Sequence, residues 1–290
     1  MALPNSLNPR HYLGLVRFSH TLFALPFALA SMLWAAQGLP GWRVFLLILL
    51  CMVTCRNAAM AFNRLIDADI DKENPRTARR HLPAGILDRK AVGLFLGLNI
   101  LVFIAATWFV NGLAFALSVP ALIAALGYSL TKRFTALSHY FLGLAIGISP
   151  VGAWIAVKGG FAWEPILLCL ALLLWIGGFD IIYATQDHEF DRRKGLHSLV
   201  VKFGVKGSLL ISKLSHLAMW CVLLALGWFG GLGIAYQVSL GLVAALLIYL
   251  HLFRRSDSLD SMNQDFFLAN IAVSLCILLG IGFSVFQNRF

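Results

Sequence analysis

The first residues that could do chemistry form a row of polar side chains near the end of an apolar stretch. Asn63, Asp67 and Asp71 follow one another at intervals of four residues. At this spacing the side chains of an α-helix lie on one face, one turn apart. Arg56, seven residues before Asn63, falls on the same face. The sequence therefore predicts a helix that presents an amide, two carboxylates and a guanidinium to one side.

A second row of polar residues lies about 120 residues further along the chain. It comprises Asp180, Tyr183, Asp187 and Asp191, again spaced by three or four residues. These residues share a face if a single helix continues through all of them. Two helices would then each end in a pair of carboxylates.

Carboxylates one helical turn apart favour a particular ligand, Mg²⁺. This ion binds through one or two carboxylates, keeps several waters and usually shares oxygens with a substrate phosphate. Together with Lys and Arg, it stabilises charge on a departing phosphate group. The sequence thus predicts a magnesium–diphosphate site. Basic residues follow both clusters and also end an apolar stretch between them: Arg76, Arg79, Arg80, Lys132, Arg133, Arg192, Arg193 and Lys194.

Several of these polar residues also have a simpler interpretation. Arg56 and Asp180 lie inside apolar segments, where an ionisable residue is a functional candidate, but Arg56 could instead only neutralise a neighbouring carboxylate. Tyr128 and Tyr183 fit either a substrate pocket or the aromatic belt of a membrane interface. His139 is interpreted as a hydrogen-bonded helix residue. Acids that lie off the two faces are interpreted as solvated loop residues: Asp69, Glu73, Asp88 and Glu189.

The composition identifies the surroundings of this site as a lipid bilayer. Of the 290 residues, 60% are hydrophobic and 12% are charged, and the mean hydropathy is +0.82. Soluble domains carry about 25% charged residues, so a soluble globular enzyme is excluded. The net charge of +10 comes without a long basic stretch interleaved with aromatic residues, so no nucleic-acid partner is predicted. The five cysteines lie apart in apolar stretches and predict neither a disulfide framework nor a zinc site.

The apolar stretches predict an all-α integral membrane protein with about nine transmembrane helices, forming a single domain over residues 1–290. About 20 apolar residues cross a bilayer. Two stretches of twice that length are broken by Asn111-Gly112 and by Gly230-Gly231, so each predicts two helices joined by a turn. Gly143, Gly147 and Gly152 are expected to allow close helix packing. The predicted spans lie in residues 18–36, 42–62, 91–131 (two), 134–157, 163–186, 214–253 (two) and 266–288.

The distribution of charge predicts the orientation. Most Lys and Arg residues fall in alternate loops, and the positive-inside rule places these loops and the N-terminus in the cytoplasm. Both carboxylate clusters then lie at the cytoplasmic surface of the cell (inner) membrane. A transporter is the alternative from another class, but it would need polar groups in both halves of the membrane. Here the outer half is nearly uncharged, which favours an enclosed site.

These motifs resemble those of the UbiA-type intramembrane prenyltransferase superfamily over essentially the whole chain. The first is Asn63-x-x-x-Asp67-x-x-x-Asp71, followed by the basic segment 75–85. The second is Asp187-x-x-x-Asp191, followed by the segment 195–198. Between them, the segment 128–135 resembles the short basic loop of the superfamily. The combination is far more specific than either carboxylate pair alone.

The resemblance implies a bundle around a central cavity that the two motif loops cap on the cytoplasmic side. It implies Mg²⁺ bound by the first-motif residues Asn63, Asp67 and Asp71 with the second-motif residues Asp187 and Asp191. His197 stands where many members have Lys, and it is left out of the predicted site. The residues implied around the diphosphate are Arg56, Arg76, Arg80, Lys132, Arg133 and Arg193, and those implied around the aromatic acceptor are Arg17, Asp180 and Tyr183.

Within the superfamily, the chain most resembles the 4-hydroxybenzoate polyprenyltransferases of ubiquinone-type quinone biosynthesis. The implied reaction transfers a polyprenyl group from a polyprenyl diphosphate to the ring of an aromatic carboxylic acid. The stretch 178–187 also resembles the branch that prenylates 1,4-dihydroxy-6-naphthoate in the futalosine route to menaquinone. The residues do not distinguish the two acceptors. The length of the prenyl chain is likewise left open.

Overall fold

A computed structural model describes residues 8–16, 24–253 and 259–287 of the chain. Throughout these ranges the regular secondary structure is helical, with no β-strand. Arg17 lies outside the described residues. The α-helices are α1 Pro9–Leu15, α2 Leu25–Ala36, α3 Trp42–Glu73, α4 Arg89–Val110, α5 Gly112–Ala116, α6 Ser118–Thr131, α7 Ser138–Lys158, α8 Trp163–Ala184, α9 His188–Lys194, α10 Leu199–Phe229, α11 Ile234–Ile248 and α12 Leu259–Gln287.

The helices confirm the prediction of an integral membrane protein. Eight helical segments in the described part of the chain are long and apolar enough to cross a bilayer. The shorter apolar helix α2, residues 25–36, is consistent with about nine spans. Large apolar side chains are exposed on the outside of the bundle, as expected for a surface that faces lipid. Leu94, Leu101 and Trp228 are 77%, 67% and 80% exposed.

Both predicted breaks within the long apolar stretches are confirmed. Asn111 ends α4 and caps α5, because its side-chain oxygen accepts a hydrogen bond from the Ala114 backbone N–H. Helix α10 ends at Phe229, and Gly231 has a φ of 61°. This left-handed conformation suits glycine. It allows the chain to reverse into α11.

Helices α7 and α8 pack closely because α7 presents glycine to the backbone of α8. A Cβ atom at Gly143 would lie 2.4 Å from the Leu173 carbonyl oxygen, and one at Gly147 would lie 2.8 Å from the Cys169 carbonyl oxygen. The packing role predicted for these two glycines is confirmed. It is wrong for Gly152, where a Cβ would meet nothing within 4 Å.

The first polar row lies on one uninterrupted helix, whereas the second lies on two helices joined by a turn. Helix α3 runs without interruption for 32 residues and carries the whole first row on its last turns. Helix α8 instead ends at Ala184, and the 3₁₀ turn Thr185–Asp187 leads into α9. Asp180 and Tyr183 therefore lie on α8, whereas Asp191 lies on α9. The continuous helix on which the second face depended is not formed.

Candidate active site

The two motif regions meet around one polar cavity of about 330 Å³. All five predicted metal-binding residues line it, as do Asp180 and Tyr183. Segments about 120 residues apart in sequence thus form one site, as the two rows predicted. Among its lining residues are Arg56, Asn63, Asp67, Asp71, Asn74, Arg76, Arg80, Tyr128, Lys132, His139, Asp180, Tyr183, Asp187, Asp191 and His197.

Asp67 is the most enclosed of the carboxylates, with 2% of its surface exposed. The Lys132 Nζ donates a hydrogen bond to its Oδ2 at 2.6 Å, and the Asn63 amide donates to the same oxygen at 3.1 Å. Arg133 approaches Oδ1 at 3.4 Å and donates to the Ile66 carbonyl oxygen at 2.8 Å. A buried carboxylate is costly unless it is paired, and these cations supply the pairing.

Asp71, one turn along α3, is paired with Arg80. One guanidinium nitrogen lies 2.8 and 2.7 Å from the two carboxylate oxygens. The segment that follows α3 is held close, because the Thr77 hydroxyl donates to the Asp71 carbonyl oxygen at 3.0 Å. The chain therefore turns back so that its own arginine meets the carboxylate.

Asp187 joins the second motif region to the segment after α3. Its carboxylate accepts two hydrogen bonds from the Arg76 guanidinium, one of them from Nε at 2.8 Å, and a third from the Asn74 amide at 2.9 Å. Arg76 also donates to the Tyr183 hydroxyl at 3.2 Å. Such two-pronged pairing fixes orientation as well as distance. All four residues of this contact line the cavity: Asn74, Arg76, Tyr183 and Asp187.

A second, apolar cavity of about 430 Å³ adjoins the polar one. Arg56, Met60, Tyr128, Leu142 and Ile146 line both cavities. Arg56 and Tyr128 thus stand at the junction of a polar and an apolar space. Much of the remaining wall consists of alanine and glycine on α3, α5, α6 and α7: Ala59, Ala114, Ala121, Ala124, Ala125, Ala145, Gly152, Ala153 and Ala156.

The model of the UbiA prenyltransferase family matches residues 24–271. The chain belongs to this family. A 4-hydroxybenzoate octaprenyltransferase of Vibrio campbellii is 32% identical over 85% of this chain and 86% of the relative. One of Vibrio cholerae is 33% identical over 97% of this chain and 99% of the relative.

Solved structures of the family share the fold. The apo structure of a UbiA homologue from Aeropyrum pernix K1 superposes with a TM-score of 0.81 at 30% identity, covering 93% of this chain and 98% of that one. A UbiA homologue from Archaeoglobus fulgidus, bound to GPP and Mg²⁺, has a TM-score of 0.74 at 21% identity, covering 96% and 99% of the two chains. The central-cavity bundle expected of the family is confirmed, and the chain is a prenyltransferase.

Not every residue predicted for the prenyltransferase site lines the cavity. Arg133 contacts Asp67 from outside the lining, and Arg193 is exposed on α9 and lies outside it as well. Several polar lining residues were missed or set aside, Asn74, His139 and His197 among them. Asn74 lacked any periodic signal, His139 was interpreted as structural, and His197 was excluded for departing from the family pattern. His197 is joined to the segment 128–135, because its backbone N–H donates to the Lys132 carbonyl oxygen at 2.7 Å.

The donors around the polar cavity suit a magnesium ion that arrives with its substrate. They are carboxylate and amide oxygens, the ligands that Mg²⁺ prefers. Within the described ranges, no three acidic, His or Cys side chains are close enough to hold a metal by themselves. Mg²⁺ commonly completes its coordination with water and substrate phosphate. The carboxylates meanwhile pair with Lys132, Arg80 and Arg76, whose positive charges a diphosphate could also use.

Proposed function

We propose that this prenyltransferase transfers a polyprenyl group from a polyprenyl diphosphate to the ring of 4-hydroxybenzoate in quinone biosynthesis. The observation that carries the proposal is the junction of a polar cavity with an apolar one at Arg56 and Tyr128. Such a junction suits a donor with a charged head and a hydrocarbon tail. Relatives at 32–34% identity that are named 4-hydroxybenzoate octaprenyltransferases support the choice of acceptor.

The donor head would lie among the paired charges of the polar cavity. Arg76, Arg80 and Lys132 form ion pairs with carboxylates here, and a bound diphosphate would compete for these cations. Mg²⁺ would be held by the amide and carboxylates of the two motifs, which are Asn63, Asp67, Asp71, Asp187 and Asp191. When bound, that ion supplies positive charge that stabilises the departing diphosphate.

The hydrocarbon tail would lie in the apolar cavity. Its walls carry few polar groups, so water is excluded from the space beside the reacting carbon. The allylic C–O bond breaks, and its electron pair leaves with the diphosphate. The allylic carbon then bonds to the ring carbon beside the acceptor hydroxyl. Between these two steps the allylic carbon is a carbocation, and a cavity without water protects it from reaction with water.

The acceptor would lie between the diphosphate and the wall formed by Asp180 and Tyr183. We further propose that Arg17 meets its carboxylate, as the resemblance implies. The excess of Lys and Arg in alternate loops supports a cytoplasmic location for the N-terminus and the motif regions, at the inner membrane. A water-soluble aromatic acid would then reach the site from the cytoplasm.

A competition assay tests the proposed function. Purified protein in detergent is supplied with Mg²⁺, a polyprenyl diphosphate, and equal amounts of 4-hydroxybenzoate and 1,4-dihydroxy-6-naphthoate. Mass spectrometry identifies the product, and a parallel assay measures released diphosphate. We expect prenylated 4-hydroxybenzoate, and we expect none when Mg²⁺ is chelated.

The two readouts separate the ways in which the proposal could fail. A prenylated naphthoate would retain the chemistry and replace the acceptor. Diphosphate release without either product would show that the ionisation step is right and both acceptors are wrong. No release from any donor would contradict the assignment of the polar cavity.

A further inference from the structure

His139 and Asp180 form an ion-pair-like contact in the wall of the polar cavity, apart from the paired carboxylates described above. His139 lies on α7 and Asp180 on α8, and the His139 Nδ1 is 2.7 Å from the Asp180 Oδ2. Both residues line the cavity. Asp180 lies four residues before the end of α8 at Ala184, whereas Asp187 ends the 3₁₀ turn that follows. The pair therefore lies on the apolar side of the diphosphate-binding region.

The surroundings of the two side chains are unequal. His139 is 3% exposed, and its Nε2 is buried without a hydrogen-bond partner among the described residues. The side chain of Asp180 is 31% exposed. A buried polar atom without a partner calls for an explanation, since most such atoms are hydrogen-bonded. A group that gains or loses a proton during turnover is such an explanation.

Three other carboxylates of the cavity already form ion pairs. Asp67, Asp71 and Asp187 are each held in this way by Lys or Arg. Asp180 differs because its partner is an imidazole. An imidazole can share a proton with a carboxylate, whereas an arginine partner cannot.

We propose that the Asp180–His139 pair receives the proton that the aromatic ring loses, an inference that rests on the proposed function. Once the allylic carbon has bonded, the substituted ring carbon carries both a hydrogen and the prenyl group. Asp180 takes that hydrogen as a proton, and the C–H electron pair restores the aromatic ring. His139 shares the proton across the 2.7 Å contact. The proton then passes to water or to the diphosphate as the products leave.

The test uses 4-hydroxybenzoate deuterated at the ring positions beside the hydroxyl. In the unaltered enzyme, loss of the ring hydrogen is expected to be fast, so that kcat shows an isotope effect near one. Asp180→Asn keeps the shape of the side chain and His139→Gln its approximate size, and each weakens the proton acceptor. We expect kcat to fall about a hundredfold in Asp180→Asn, with an isotope effect clearly above one in both variants. The KM for polyprenyl diphosphate is expected to stay unchanged.

Two control variants make the result specific. His216 is 1% exposed, lies outside the cavity lining and contacts His251 at 2.8 Å. His216→Gln therefore reproduces the loss of a buried imidazole, and we expect it to show no isotope effect even if stability falls. Asp191→Asn removes the cavity carboxylate that forms no ion pair within the described residues. We expect lower activity from it, without an isotope effect.

The outcomes separate this inference from the proposed function. If both pair variants prenylate the acid at the unaltered rate and without an isotope effect, the pair does not receive the proton. An isotope effect confined to Asp191→Asn would move the role to that residue. If His139→Gln fails to fold, Asp180→Asn alone decides. An unaltered enzyme that prenylates no aromatic acid would overturn the proposed function, and this assignment with it.

Discussion

At the scale of single residues, Asp67 shows how position on a helix separates two nearby acids. Asp67 faces the cavity and pairs with Lys132, whereas the Asp69 side chain is 84% exposed and pairs with Arg89. We expect Asp67→Asn to lower Mg²⁺-dependent kcat about a hundredfold or more, because one charge that would hold the metal is lost. The measurement is product formation as a function of Mg²⁺ concentration.

The control for this prediction is the neighbouring acid. Asp69→Asn removes the same charge two residues away and is expected to leave activity and metal dependence unchanged. Melting temperatures of both variants establish that each is folded. Equal activity of Asp67→Asn and Asp69→Asn would remove Asp67 from the site.

Arg76 supports a second prediction at this scale, because its function depends on shape as well as charge. Its planar guanidinium contacts both oxygens of Asp187 and also the Tyr183 hydroxyl. Lysine keeps the charge but cannot make this two-pronged contact. We expect Arg76→Lys to lower kcat/KM for polyprenyl diphosphate about tenfold, a loss of about 1.4 kcal/mol in transition-state binding. Steady-state kinetics measure it.

Arg79→Lys provides the comparison for Arg76→Lys. Arg79 is exposed and does not line the cavity. The same exchange there is expected to leave kcat/KM unchanged. A similar loss in both variants would indicate a general effect of the basic segment rather than the contact with Asp187.

At the scale of helices, the packing of α7 on α8 determines where Asp180 lies relative to His139. A Cβ at Gly143 would meet the Leu173 carbonyl oxygen at 2.4 Å, so that the two backbones would have to move apart. We expect Gly143→Ala to cost about 1–3 kcal/mol of stability. Gly97→Ala on α4, where a Cβ meets nothing within 4 Å, is expected to cost nothing. Thermal inactivation half-lives in detergent compare the two variants.

The packing of the short helix α1 against His81, which we call docking, is expected to depend on pH. The His81 ring lies 2.8 Å from the position of a Cβ on Gly14, and its ring centroid lies 5.9 Å from that of His11. Burial lowers the pKa of His81 below its ordinary value of 6.5, and the charges of His11 and Arg64 lower it further. The undocked form therefore binds more protons, so that docking is full above pH 6.5 and weakens as the pH falls below it.

Hydrogen exchange of residues 9–15 measures this docking. We expect exchange to become faster between pH 7 and pH 5, after correction for the intrinsic effect of pH on exchange. His81→Gln is expected to reduce that dependence, because the titrating ring is gone. An unchanged pH profile in His81→Gln would assign the effect to other groups.

The same scale shows which elements the sequence could predict. The face shared by Asn63, Asp67 and Asp71 follows from helical period alone, and α3 confirms it. The span predicted over 163–186 ends within two residues of the end of α8 at Ala184, but the 3₁₀ turn that follows was not predicted, because the polar spacing continues through it. Local periodicity records which residues share a face. It does not record where the chain changes direction.

At the scale of the whole molecule, the location of the site was predictable but the pairing within it was not. Charge distribution and two motifs placed Asp67 and Asp187 at one membrane surface. Contacts such as Asn74 with Asp187 and His139 with Asp180 join different helical segments, 113 and 41 residues apart in sequence. A single sequence carries no signal of such distances. The three-dimensional packing of the helices creates these pairs.

The apolar cavity also exists only in the packed bundle, and it leads to a prediction about chain length. Gly152 lies six residues beyond Ile146 on α7, about 9 Å along the helix from the junction with the polar cavity. A Cβ there meets nothing within 4 Å, so a large side chain would enter the cavity. If the prenyl tail lies there, Gly152→Phe obstructs only a tail long enough to reach it. We expect kcat/KM to fall tenfold or more for a long polyprenyl diphosphate and to persist for geranyl diphosphate.

Comparison of two donors on two variants makes this prediction decisive. Ile123→Phe adds similar bulk on α6 at a side chain that is 67% exposed and outside the cavity lining, and it is expected to treat both donors as the unaltered enzyme does. An equal loss with both donors in Gly152→Phe would indicate damage to the fold. Full activity with the long donor would show that the tail leaves the bundle elsewhere, in which case the apolar cavity would not determine chain length. A loss with the long donor alone would show that the small residues of the apolar cavity determine chain length. Each of them leaves space that a larger side chain would fill.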